Sequence, residues 1–202
     1  ILRRAFGADA LGNFNAAHMV VDTSLLVLMS SMRTYFLPQL ARHEEGAKTQ
    51  LLDSVFRWHL GLAWVGAVIL SVLAPLLVPL LFSTRFEAAI ACLRIMPLAL
   101  IPFVFIWTHN VYLLHQGKHK LYCCLDILWC SSFAVFVYFA SLRTGAELSG
   151  AAWAYVASAT LGAVLYLLAL LALGEDKKVL AKHVLMSLFA ASSLWWLQSA
   201  FN

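Results

Sequence analysis

Charge is what this sequence has least of. Of its 202 residues, 12% are charged and 62% hydrophobic, where a soluble domain carries roughly 25% and 45–50%. So few charges cannot cover the surface of a water-soluble protein of this size, and long apolar runs confirm the reading. No Asp, Glu, Lys or Arg interrupts residues 58–84, 95–117 or 148–174. A helix crossing a bilayer needs about 20 apolar residues, so three such runs indicate an integral membrane protein. Cysteine is scarce as well. Cys92, Cys123, Cys124 and Cys130 form no C-x-x-C pair and neighbour no His cluster at ligand spacing, so no metal site is expected and they read as small apolar residues. No Gly-rich phosphate loop, H-E-x-x-H or G-x-S-x-G occurs, which leaves no motif for a soluble-type enzyme or a cofactor. The chain begins at Ile1 with no basic stretch and cleavage site of a signal peptide; the expectation is a piece of a longer protein.

The apolar runs resolve into spans. Five are expected, at residues 11–40, 58–82, 88–116, 121–142 and 150–173, separated by short polar breaks such as GKHK at 117–120, RTGAELSG at 143–150 and GEDKK at 174–178. Irregular backbone is not tolerated against lipid, so the breaks belong at the membrane surfaces, and their shortness predicts antiparallel hairpins. The predicted fold class is therefore an all-α integral membrane bundle of five to six spans. Residues 179–202 form either a short sixth span or an interfacial helix. The span is preferred, with Trp195 and Trp196 at its aromatic belt.

Lysine and arginine set the orientation. Arg42, Lys48, Arg57, Lys118, Lys120, Lys177, Lys178 and Lys182 collect on one side, against Arg3, Arg4, Arg85 and Arg143 on the other. The richer side is expected to be cytoplasmic. The net charge of +4 and pI near 9.0 follow from this topology and make no case for nucleic-acid binding. The stretch RTYFLPQLARHEEG, residues 33–46, is then the cytoplasmic exit of the first span. The connector of residues 41–57 reads as amphipathic, with Glu44 and Glu45 solvated.

Charged groups at membrane depth cost at least ~2.5–3.5 kcal/mol each, so the first span stands out. At 100° per residue Asn15, His18, Asp22 and Arg33 fall within about 60° of one another, and His18 and Asp22 are one turn apart. This stripe is expected to face a protein interior or a hydrated cavity. Two readings stand side by side. Asn15, His18, Asp22 and Arg33 line a substrate cavity, with Asp22 and His18 a candidate proton site; or they join helices by hydrogen bonds, with Arg33 snorkelling to headgroups. Arg94, opening the third span, belongs at a cavity mouth or, preferably, at headgroups. Pro97 and Pro102 should bend that span. Asn110 reads as interhelical glue, His115 as interfacial, and Asp126 as a structural acid bonding Tyr122.

GNFN at 12–15, Asp22 and YFLPQLAR at 35–42, then LLFSTRFEAA at 80–89, then GKHK followed by Asp126 together resemble the Wzx-type O-antigen and enterobacterial common antigen lipid flippases. These belong to the multidrug/oligosaccharidyl-lipid/polysaccharide exporter superfamily. The ordered set covers residues 12 to about 173. The resemblance implies most of the C-terminal bundle of a two-bundle exporter in a bacterial inner membrane. It also implies translocation of an undecaprenyl-diphosphate-linked oligosaccharide from the cytoplasmic to the periplasmic leaflet. The implied partners are that lipid-linked substrate, membrane lipids and polysaccharide polymerase machinery, with no cofactor. Asp22 matches the family's acidic position in this helix, and Arg33 and Arg94 are the available cations. The third span departs from the pattern: residues 95–108 carry no charge where some relatives do. A drug or peptidoglycan-lipid exporter of the same superfamily and a membrane-embedded polyprenyl-linked glycosyl- or acyltransferase are the competing readings.

Overall fold

In the computed structural model residues 7–42, 45–142 and 148–200 are described, and among them every regular element is helical. They comprise α1 (Ala8–Ser31), a π-helical segment (Met32–Phe36), α2 (Leu37–Arg42), α3 (Glu45–Leu81), a 3-10 turn (Thr84–Phe86) and α4 (Ala89–Ile95). A second 3-10 turn (Met96–Ala99), α5 (Leu100–His115), α6 (His119–Ser141), α7 (Leu148–Ala172) and α8 (Lys177–Ala200) follow. Among the described residues five stretches are long and apolar enough to cross a membrane: Ala47–Leu81, Ala89–His115, His119–Ser141, Leu148–Ala172 and Lys177–Ser199. By length and composition the chain is a multi-pass membrane protein.

These five differ from the expected spans at both ends of the chain. α1 is not among them, because Asn13, Asn15, His18 and Asp22 dilute its apolar content. The tail is among them, as an unbroken 24-residue helix, about 36 Å long at 1.5 Å per residue. The connector also differs. From Glu45 onward it is not a separate element but the opening turns of α3, whose buried positions run through Leu52, Phe56, Leu60, Ala63, Ala67 and Leu70. Glu44 lies outside the described residues, and only the backbone of Glu45 is described.

Proline accounts for both interruptions of helical geometry inside the apolar segments. Pro38 has no N–H for the Thr34 carbonyl and its ring crowds that group; the chain widens into the π turn at Met32–Phe36 just before it. Pro97, one of the two prolines expected to bend this span, sits within the 3-10 turn that separates α4 from α5; Pro102, the other, lies inside unbroken α5. Gly117 and Gly174 stop α5 and α7 in the left-handed region, at φ 72° and 80°. There Lys118 N–H reaches Leu113 O at 3.0 Å and Glu175 N–H reaches Leu170 O at 3.2 Å, as in a Schellman motif.

The α4–α5 segment is the buried centre. α4 packs on α1, α3 and α7, and α5 on α3, α7 and α8; Leu93, Met96, Leu100, Ile101 and Ile106 are closed off from solvent. α6 lies outermost, packed chiefly on α7, with Ile127, Leu128 and Phe139 pointing outward. Small residues allow the α6–α7 contact: a Cβ on Gly162 would come within 3.1 Å of Trp129 Cβ and 2.9 Å of Ile106 Cδ1.

Polar contacts sort the helix ends. Asn13 Oδ1 accepts from Ala89 N–H at 3.2 Å, Cys92 Sγ donates to Leu148 O at 3.8 Å, and Gln198 Nε2 donates to Ser71 Oγ at 2.9 Å. These gather the starts of α1, α4 and α7 with the far ends of α3 and α8. At the opposite end Lys182 Nζ meets Asp53 Oδ2 at 2.8 Å, and Tyr112 and Gln116 donate to the Glu175 carboxylate at 3.1 and 2.9 Å.

Candidate functional site

The polar stripe of α1 lies along the border of its outward face. Phe14, Ala17, Val21 and Leu25 bury one side of the helix, while Asn15, Asp22, Leu26 and Val27 are exposed. His18 is half-buried between them, its ring 5.2 Å from Tyr155 of α7 and 6.0 Å from Phe14. Asp22 acts electrostatically on the same Tyr155. Asn15, His18 and Asp22 therefore share one strip, flanked by α7. No hydrogen bond or ion pair joins His18 to Asp22 among the described residues. Arg33 falls in the π segment, so regular-helix geometry carries the stripe only as far as Ser31; its side chain lies outside what is described.

Arg94 is placed elsewhere. It lines a cavity of about 300 Å³ with Ser71, Trp153, Trp195 and Gln198, between α3, α4, α7 and α8. Its carbonyl accepts from Ser71 Oγ at 3.2 Å and from Gln198 Nε2. Asn15, His18 and Asp22 do not border that cavity, so these three α1 positions and Arg94 do not form one site among the described residues.

Two other groups of polar residues are structural. Asp126 accepts from Tyr166 Oη at 2.9 Å and from Trp129 Nε1 at 3.2 Å, and Tyr122 is an electrostatic neighbour of its carboxylate. Asn110, buried on α5, lies against Tyr122 of α6, and its Oδ1 has no hydrogen-bond partner among the described residues. Ser31 Oγ meets His59 Nε2 at 2.9 Å, tying α1 to α3.

The lysine-rich end holds a constellation that no local motif announces. Asp53 of α3 faces Lys182 at 2.8 Å, Arg57 at 3.0 Å and His183 Nε2 at 3.4 Å. His183 Nδ1 in turn lies 3.4 Å from His109 Nε2, and His109 Nδ1 is 2.8 Å from Phe105 O. Both imidazoles are buried. The three residues are 56 and 74 positions apart in sequence, so spacing could not reveal them. The available signal was weaker: each lies about two turns inside a helix end that carries the basic breaks.

No family model, curated protein or solved structure matches this chain.

The site must therefore be read from its chemistry. Among the described residues no group of three or more His, Cys, Asp or Glu side chains could hold a metal ion. Cys92 is buried, whereas Cys123, Cys124 and Cys130 are exposed, and all four are free thiols. What the α1 strip offers is a carboxylate, an amide and an imidazole on an exterior that also carries apolar Leu26 and Val27.

Proposed function

We propose that this chain is the C-terminal bundle of a lipid-linked-oligosaccharide flippase in a bacterial inner membrane. In this reading α1 and the five apolar stretches form an antiparallel bundle, and the lysine-rich end is cytoplasmic. The observation that carries it is the exposure of Asn15 and Asp22 on a multi-helix apolar protein. An ionised carboxylate facing hydrocarbon costs several kcal/mol. That strip is therefore covered in the whole protein by a second bundle, leaving a hydrated cleft between the two. Sugar hydroxyls suit the amide and carboxylate donors and acceptors of Asn15 and Asp22, and Arg33 supplies a cation for the diphosphate. Alternating access would then be a rocking of the two bundles about the cleft. The ordered resemblance from GNFN to Asp126 points to the same superfamily.

Two tests apply. Disrupting the parent gene is expected to trap an intact undecaprenyl-linked oligosaccharide on the cytoplasmic leaflet. A truncated or unmodified glycan would point instead to a transferase, and accumulation of peptidoglycan lipid to another exporter. In the full-length protein, Asp22→Ala and Arg33→Ala should each impair translocation more than Arg94→Ala, because Arg94 lines a separate cavity. Wild-type activity of both α1 variants at normal expression would remove the cleft reading.

A further inference from the structure

The lysine-rich end contains two buried polar atoms that lack hydrogen-bond partners among the described residues and lie 3.4 Å apart: Asp53 Oδ1 and His183 Nε2. Their neighbours dictate which hydrogens are present. The Phe105 carbonyl can only accept, so the hydrogen in its 2.8 Å contact sits on His109 Nδ1. A neutral His109 then presents a lone pair at Nε2, and the contact with His183 at 3.4 Å takes its hydrogen from His183 Nδ1. A neutral His183 accordingly presents a lone pair at Nε2, 3.4 Å from Asp53 Oδ1. Three contacts in series need three hydrogens; two neutral imidazoles and an ionised carboxylate supply two. Reversing both tautomers only moves the deficit, setting the His109 Nδ1 lone pair against the Phe105 carbonyl at the shortest contact of the chain.

We infer that Asp53, His183 and His109 form a proton-binding site, occupied by one proton shared between the Asp53 carboxylate and His183 Nε2. The proton comes from water at the partly exposed side of Asp53 and returns there. Held on nitrogen it makes an imidazolium–carboxylate pair; held on oxygen it makes a carboxylic acid donating to a neutral imidazole. Either arrangement satisfies both orphaned atoms. The charged and titratable groups around the three-residue cluster come from every element packed on it. α3 contributes Arg57 beside Asp53, α8 contributes Lys182, and α5 contributes His109 and Tyr112. The turn between α7 and α8 contributes Glu175 and Asp176, across a cavity of about 30 Å³ that His109 also lines. That volume is enough for one water. Phe56 stacks on His183 with ring centroids 4.0 Å apart, so the imidazole has no room to turn away while α8 is docked. Loss of the proton therefore leaves two lone pairs opposed in a closed space and favours withdrawal of the start of α8 from α3 and α5. This inference concerns the chain itself and is independent of what it transports.

The test counts protons directly on the full chain in lipid nanodiscs near neutral pH. Imidazole nitrogen NMR distinguishes neutral from doubly protonated His183, and infrared difference spectra against Asp53→Asn report a protonated carboxyl. One signature or the other is expected, but not both at full occupancy. An ionised Asp53 together with two neutral histidines would overturn the proposal. A variant pair gives an independent arm. The amide of Asp53→Asn can donate to His183 Nε2 without an added proton, so this variant should stay folded with α8 protected from hydrogen exchange. Asp53→Leu leaves His183 Nε2 orphaned and should speed exchange at the start of α8 at least tenfold. Equal exchange in the two variants would also overturn it.

Discussion

Asp126 shows how a single intramembrane acid is made tolerable. Its carboxylate is spent on the Tyr166 hydroxyl and the Trp129 indole N–H, and Tyr166 is fully buried. Truncating the acid strands a buried donor, which costs about 1–3 kcal/mol. Asp126→Ala should therefore lower unfolding stability in mixed micelles by roughly that amount. Tyr166→Phe should cost less, and the double variant should cost less than the sum of the two. Strict additivity would show that the two groups do not cooperate. A structural role for this residue is legible in the sequence through its spacing from Tyr122. Tyr166, 40 residues away, is not, because an interhelical bond leaves no trace in local order.

At the scale of elements, α7 is defined by what it lacks. Ala151, Ala152, Ala159 and Gly162 are buried along it, and the missing side-chain volume lets α5 and α6 come close. Gly162 already lies against Trp129 and Ile106, so Gly162→Val overpacks this seam. The expected loss is about 1–3 kcal/mol in the same unfolding assay, whereas Gly66→Ala on α3, where nothing lies within 4 Å, should be harmless. Equal effects would deny that α7 is a close-packing helix. α8 is held along α3 by side chains of high reach: Trp64 Nε1 donates to Ser193 Oγ at 2.9 Å, besides Lys182–Asp53 and Gln198–Ser71. The tail reads ambiguously in the sequence because its apolar run is short; its partner α3 completes it.

For the whole molecule the sharpest prediction concerns which ends lie on which side. Glu87, in the turn before α4, and Lys178, at the start of α8, are both exposed and belong to opposite ends of the packed helices. With the four native cysteines replaced by alanine, an impermeant maleimide added to intact cells should label Glu87→Cys. Lys178→Cys should react only after permeabilisation, since lysine-rich breaks remain inside. Labelling of both from outside would collapse the topology and the cleft with it. The polar strip of α1 belongs to this scale too. Asn15, His18 and Asp22 sharing a face follows from a 100° repeat and was readable at once. That Asp22 points out of this bundle rather than into it depends on which face α4 and α7 cover.

Composition alone determined that this chain belongs in a membrane, because so few charges cannot solvate its surface. Apolar run length and the polar breaks determined most of the helices, and Pro38 and Pro97 accompany the two changes of helical geometry, whereas Pro75, Pro79 and Pro102 sit inside unbroken helices. The joining of the connector to α3 was also written in the sequence, in the run from Leu52 through Phe56 to Leu60, although its charges mask it. The tertiary structure alone decided the rest. Asp53, His109 and His183 become one cluster because three helix ends converge, and Arg94 parts from the α1 strip because α4 turns it towards α8. Contacts between helices are set by packing over the whole chain, and no spacing along it records them.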